Sequence, residues 1–292
     1  MKTGKALLMF EVALGVIEAV LIAYLAIHAG AAHGTTTNAT VVVIGNKEYT
    51  VGVNESLLPR LVNSRYGMLV CYTDYPAGIS YAGPPTTALA AYYCVLNEST
   101  GYIVLPPGAK APQFNYTIQL NAFLSNHYWV QDVLGGQVTN GVGVLGVNVW
   151  HGSDLLLGGY GPPIGQCGWL VIAVINATAY IGYSTDGTHV SWYANYPVGN
   201  AVIVNGSYTN LVIAGGGDGA GVAFKDVLTV LALYYWNGTA WAPAPVNALT
   251  GDPGTGEFVV NAWVFTVNNT AVVTWPKPVM AGAIVPQPTF KP

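Results

Sequence analysis

Few residues of this 292-residue chain could do chemistry, and their spacing excludes most of what they could do. Three cysteines (Cys71, Cys94 and Cys167) and five scattered histidines contain no Cys-x-x-Cys and no ligand pair. No metal or haem site and no cofactor is therefore expected. The odd thiol count leaves two readings: a Cys71–Cys94 disulfide in an oxidising exterior, or three small buried hydrophobes. Gly141–Gly146 reads GVGVLG and fits the G-x-G-x-x-G string. The VNVWHGSD that follows it does not open the helix a dinucleotide needs. Gly215–Gly221 reads GGGDGAG and lacks the Gly-Lys-Ser/Thr of a phosphate loop. Both stretches read as strand and turn.

One motif is in excess. Asn-x-Ser/Thr occurs at Asn38, Asn54, Asn97, Asn115, Asn176, Asn205, Asn237 and Asn268. With 20 asparagines in the chain, about two such triplets would arise by chance. Each marks an acceptor for an N-linked glycan on an exposed loop of an exported protein. Charged residues are 8% of the chain, against about 25% in an ordinary soluble domain. Glycans would supply the hydration such a surface lacks. With a net charge of −4 there is no basic field for a nucleic-acid backbone, so no nucleic-acid partner is expected.

The elements that must hold these residues read as β. Turn dipeptides punctuate β-branched and aromatic runs. Gly45-Asn46 separates Val41–Ile44 from Glu48–Val53, and Asp186-Gly187 separates AYIGYS from HVSWY. Asn205-Gly206 joins AVIV to SYTNLVI, and Asn237-Gly238 follows LTVLALYYW. Strands at this spacing imply a sandwich. The tail from Trp275 to Pro292 holds five prolines and reads as an extended edge or coil.

The amino-terminal end differs. Ala6–Ile27 is apolar, and as a helix would span about 33 Å, enough to cross a bilayer core. Lys2 and Lys5 precede it and no basic residue follows until Lys47, which places the body outside the cell. A cleaved export signal ending near Ala29–Ala32 and a plain membrane anchor are two readings. The third gives Glu11 and Glu18 a role. Seven residues apart, they fall within about 20° on one helical face. Gly15 lies between them, and Ala19, Ala23 and Ala26 continue a strip of small residues that lets helices approach closely. Such a helix is suited to packing against copies of itself.

A basic leader with Gly4, then an apolar helix with an early Glu, resembles the amino terminus of archaeal type IV pilin-like and flagellin-like filament subunits. That resemblance implies leader cleavage and a helical filament core. Phe114–Phe123 (FNYTIQLNAF) with Tyr128–Val133, and Val230–Gly238 with Thr255-Gly256-Glu257, resemble segments of the archaeal thermopsin-like proteins, which are secreted acid proteases. Asp132 and Glu257 stand at matching motifs, and would be the catalytic carboxylates if the chain is a protease. Ala91 stands where that family carries another acid.

The expectation is a mainly β protein: a long hydrophobic N-terminal α-helix over residues 1–30, a linker over 31–39, and a glycosylated all-β sandwich over 40–292, Ig-like in general architecture. The expected function is that of a non-enzymatic structural subunit of an archaeal extracellular filament, flagellum-like or adhesive. Its partner is itself, with the membrane before assembly and other surfaces or cells after it. The alternative is a tethered or secreted acid protease.

Overall fold

The computed structural model describes residues 39–44, 47–52, 55–64, 66–72, 76–96, 102–107, 112, 114–136, 143–217, 219–249 and 256–292. The helix features at Glu11, Gly15, Glu18, Ala19, Ala23 and Ala26, and the sequons at Asn38, Asn54 and Asn97, lie outside the described residues. The chain divides into two compact units, Met1–Gly52 and Val53–Pro292. In the first, β1 (Ala39–Ile44) and β2 (Lys47–Gly52) form an antiparallel hairpin across Gly45-Asn46, as the dipeptide predicts.

The second unit begins with β3 (Arg60–Asn63), β4 (Met68–Tyr72), β5 (Ala77–Tyr81), β6 (Ala88–Leu96), β7 (Tyr102–Val104) and β8 (Tyr116–Phe123). It continues through β9 (Tyr128–Gly136), β10 (Gly143–His151), β11 (Asp154–Ile164), β12 (Cys167–Ile175), β13 (Thr178–Ser184) and β14 (Ser191–Pro197). Then come β15 (Gly206–Gly215), β16 (Gly221–Ala223), β17 (Val227–Trp236), β18 (Trp241–Pro243) and β19 (Val246–Leu249). The last are β20 (Phe258–Val259), β21 (Ala262–Val267), β22 (Thr270–Trp275) and β23 (Ala281–Ile284). No α-helix occurs among the described residues.

Two large sheets make a sandwich, as the alternating pattern predicts. The seven-stranded sheet has the order β11-β10-β9-β8-β15-β5-β19. The nine-stranded sheet runs β14-β13-β12-β6-β17-β22-β21-β4, with β18 also on β17. A three-stranded sheet, β20-β16-β7, and the pair β23-β3 complete the unit. Between the large sheets lies one core, with Ile118, Leu120, Leu134, Leu211 and Ile213 from the first meeting Leu89, Tyr93, Leu170, Leu231 and Val273 from the second. Each such side chain contributes about 1.5–3 kcal/mol on leaving water.

The nine-stranded sheet carries a second core on its outer face. Alternate residues Tyr92, Cys94, Trp169, Val171 and Val230 point that way, and Leu57, Trp241 and Phe290 cover them. Part of that cover is the proline-rich tail. Trp241 Nε1 donates to the Phe290 carbonyl at 2.7 Å, and Thr289 N donates to Gly187 O at 2.8 Å. The tail, expected as an extended edge or coil, forms the short strand β23 on β3 and then a strap whose Phe290 is buried. Beyond β23 its prolines keep it off any further ladder, so the end packs by side chains and single hydrogen bonds. Asn205-Gly206 also differs from expectation: β15 begins at Gly206, but AVIV before it forms only two isolated bridges, from Ile203 to Thr86 and Leu124. That segment connects one sheet to the other instead of forming a hairpin arm.

The disulfide is likewise a correction. Cys94 stands opposite Cys167 in the β6–β12 register, and these two are bonded. Cys71 lies on the edge strand β4, with β21, β22 and β17 between it and β6, so the expected Cys71–Cys94 pair does not form. The bridge joins positions 73 residues apart, worth about 4 kcal/mol on a chain-entropy account. Replacing Cys94 and Cys167 with alanine should lower stability by about 2–5 kcal/mol. Cys71→Ala should leave the bridge intact. Denaturation with and without reductant checks both.

Candidate functional site

Asp132 and Glu257 are the two acids that could form a catalytic pair, and the fold gives them different settings. In β9, Val130, Asp132 and Leu134 share the inward face, so the alternation that buries the two apolar residues also buries the carboxylate. Asp132 is 0% exposed. Tyr193 Oη lies 2.7 Å from its Oδ1, and Val171 N donates to its Oδ2 at 3.1 Å. Burial pushes its pKa well above the usual carboxylate value, and the hydrogen bonds from Tyr193 and Val171 oppose that only in part. Glu257 sits just before β20 in the small three-stranded sheet and is half-buried. Ala91 is fully buried on β6, opposite Leu170 and Leu233. A carboxyl sealed between two sheets can hold a proton and link strands. It has no surface on which to meet a peptide.

A Ser/Asp/His grouping on the β13–β14 turn was not expected from the sequence. Ser184 Oγ donates to Asp186 Oδ1 at 3.1 Å, and His189 Nδ1 lies 3.2 Å from Asp186 Oδ2. Nucleophilic catalysis needs the imidazole between hydroxyl and carboxylate. Here the carboxylate is in the middle, and it also accepts the N–H groups of Thr188 and His189. The grouping closes a turn.

A polar row on the outward face of the seven-stranded sheet also went unforeseen. Asn121 Nδ2 donates to Asn210 Oδ1 at 2.8 Å, Gln131 Nε2 to Asn121 Oδ1 at 2.9 Å, and Trp150 Nε1 to Gln131 Oε1 at 2.8 Å. These side chains cross-link β15, β8, β9 and β10. The three amides are buried and satisfied by one another, as buried polar groups must be. The signal was present: Thr117, Gln119 and Asn121 alternate with Ile118 and Leu120.

The described sequons fall mainly at one end of the sandwich. Asn176 and Ala177, with φ of 48° and 61°, make the β12–β13 turn in the left-handed conformation of a tight hairpin. Asn237 opens the β17–β18 turn, and Asn268 (φ 52°) opens the β21–β22 turn. Asn205 precedes β15, and its Nδ2 donates to Gly83 O at 3.0 Å. The registers Ala173–Ala88, Leu89–Tyr235 and Ala232–Thr270 bring these four to the same end, and all four are exposed. Asn115 is half-buried at the other end, beside Gly136.

Asn237 is held by its own turn. Its Oδ1 takes the N–H groups of Thr239 and Ala240 and the Thr239 hydroxyl, all on the turn side. Glycopeptide mass spectrometry of native protein should find glycans on Asn176, Asn237 and Asn268, with lower occupancy at Asn115. Native material unmodified at all three would overturn this.

No family model and no curated protein matches the chain. Among solved structures it is similar to a functionally unknown protein from Saccharomyces cerevisiae. The identity is 8% over 78% of this chain and 96% of that one, with a TM-score of 0.26. It is also similar to the mouse coronavirus receptor-binding domain complexed with its murine receptor. There the identity is 12% over 75% of this chain and 92% of that one, with a TM-score of 0.22. Likenesses this slight carry no argument about fold or function.

The two family resemblances are therefore corrected. Neither the pilin-like nor the thermopsin-like assignment has a matching family model or relative, and the described residues hold no α-helix to carry the first. The segments that suggested the second, such as FNYTIQLNAF and YWVQDV, are β8 and β9. Their likeness is the apolar/polar alternation that any half-buried strand shows.

Proposed function

We propose that this chain is a structural protein of the cell exterior, a self-associating subunit of an extracellular filament. Its apolar amino-terminal segment joins copies to one another, and its β unit forms the glycan-bearing outer part. The enclosure of Asp132 carries this reading, because the acid that would serve a protease is here a component of the packing. The shared face of Glu11 and Glu18 supports self-association, since a carboxylate facing lipid costs about 2.5–3.5 kcal/mol, whereas one facing a neighbouring amine does not. Sequons gathered on exposed turns support display outside the cell. Its partner is another copy of itself, and before assembly the subunit resides in the membrane. Negative-stain microscopy of material sheared from expressing cells should show filaments containing the chain. Absence of filaments, together with acid peptidase activity that disappears on Glu257→Gln, would replace this reading with the protease.

A further inference from the structure

The contacts around Asp132 can be counted in hydrogens. Tyr193 Oη lies 2.7 Å from Asp132 Oδ1 and 2.9 Å from the carbonyl oxygen of Gly146. A phenol has one hydrogen, so it can donate to only one of these two acceptors. With an ionised carboxylate, the other short contact would set oxygen lone pairs against each other inside a dry core. A single proton on Oδ1 resolves both. The carboxyl then donates to Tyr193 Oη, Tyr193 donates to Gly146 O, and Oδ2 accepts the Val171 N–H at 3.1 Å. Every donor and acceptor in the set is then used.

The surroundings agree. Asp132 faces Leu120 on β8 and Val147 on β10 across its own sheet, both apolar. From the opposite sheet come Tyr93 on β6, Val171 on β12 and Tyr193 on β14. Tyr93 is fully buried, and its hydroxyl already donates to Gly165 O at 3.0 Å. Among the described residues no cation contacts the carboxyl, so only the two hydrogen bonds, from Tyr193 and Val171, would oppose the cost of a buried negative charge. Gly146 lies where the β10–β11 register shifts, and the Tyr193 hydroxyl bonds its carbonyl there.

We infer that Asp132 is held as a neutral carboxylic acid that donates to Tyr193, forming a proton-dependent latch between the two sheets. Two cross-sheet links pass through it, one to the Val171 backbone and one to Tyr193. The sign follows from linkage. Below the ordinary aspartate pKa of about 3.9, folded and unfolded chains both carry the proton and the latch is fully favourable. As pH rises through that value the unfolded chain releases its proton while the folded chain keeps it, so stability falls. The fall continues until the folded-state pKa is reached. The latch favours acid surroundings.

Asp132→Asn is the informative variant, because an asparagine amide can donate to Tyr193 and its oxygen can accept from Val171 without any proton to lose. Equilibrium unfolding of full-length wild type and Asp132→Asn, compared from about pH 3 to about pH 8, isolates this one group. The wild-type unfolding constant should rise about tenfold per pH unit relative to the variant above about pH 4. A ratio independent of pH, or one that moves the other way, overturns the proposal. Infrared spectroscopy of the wild type gives an independent reading if the variant does not fold. The carbonyl band of an un-ionised carboxylic acid should persist at neutral pH, and its absence there would also overturn the latch.

Discussion

Replacing Glu11 or Glu18 with leucine should abolish surface filaments while leaving the subunit in the membrane. The two carboxylates stand seven residues apart, within about 20° on the helix that the sequence predicts over residues 6–27. If that segment only anchors the chain, each glutamate is a liability in hydrocarbon, and leucine should be tolerated or preferred. If it packs against its own copies, each carboxylate needs a donor, most simply Lys5 of a neighbouring subunit. Removing one side of a buried pair costs about 3–5 kcal/mol, and the loss recurs at every subunit. Ala19→Leu should act by a different route, holding helices apart without stranding a charge. Filaments counted by microscopy, with membrane levels followed by immunoblot, separate the cases. Unchanged filament numbers in all three variants would mean that the segment anchors and does not assemble.

Phe290→Ala should be among the most damaging single changes in the β unit. The ring is 4% exposed and packs edge-on against Trp241 at 5.5 Å and Trp169 at 6.2 Å between centroids. Loss of a buried phenylalanine costs about 3–5 kcal/mol. In a unit of this size that corresponds to a fall in Tm of roughly 10 °C. Neighbouring contacts would loosen with it, including Gln287 Nε2 to Trp241 O at 3.1 Å. Exposed Lys291 is the control, and Lys291→Ala should change stability by less than about 0.5 kcal/mol. Trp169 and Trp241 line the site, so unfolding followed by tryptophan fluorescence reads it directly. Equal behaviour of the two variants would mean that the strap contributes nothing.

Local signals were legible in the sequence and long-range ones were not. Asp186-Gly187 and Asn237-Gly238 each mark a real turn, because turn geometry is decided by a few adjacent residues. Asn205-Gly206 misled because the same dipeptide also suits a crossing between sheets. The burial of Asp132 was readable from the alternation of Val130, Asp132 and Leu134, yet a motif likeness suggested catalysis instead. Cys94 could not be matched to Cys167 from spacing, since their pairing depends on the register of strands distant in sequence. The tail's prolines pointed to an edge or coil, and β23 does pair with β3, but they did not show that Phe290 would fill a core.

The order of strands in the large sheets sets when this chain can close. β5 lies between β15 and β19, and β6 between β12 and β17, so the first main strands made wait for partners that follow far along the chain. β4 waits for β21, and the outer core is covered only when Phe290 arrives. Contacts of such high sequence separation fold slowly, because the loop entropy is lost before any pairing rewards it. The β8–β11 and β12–β14 runs can pair as they emerge, but both large sheets stay incomplete until β15, β17, β21 and β22 have been made.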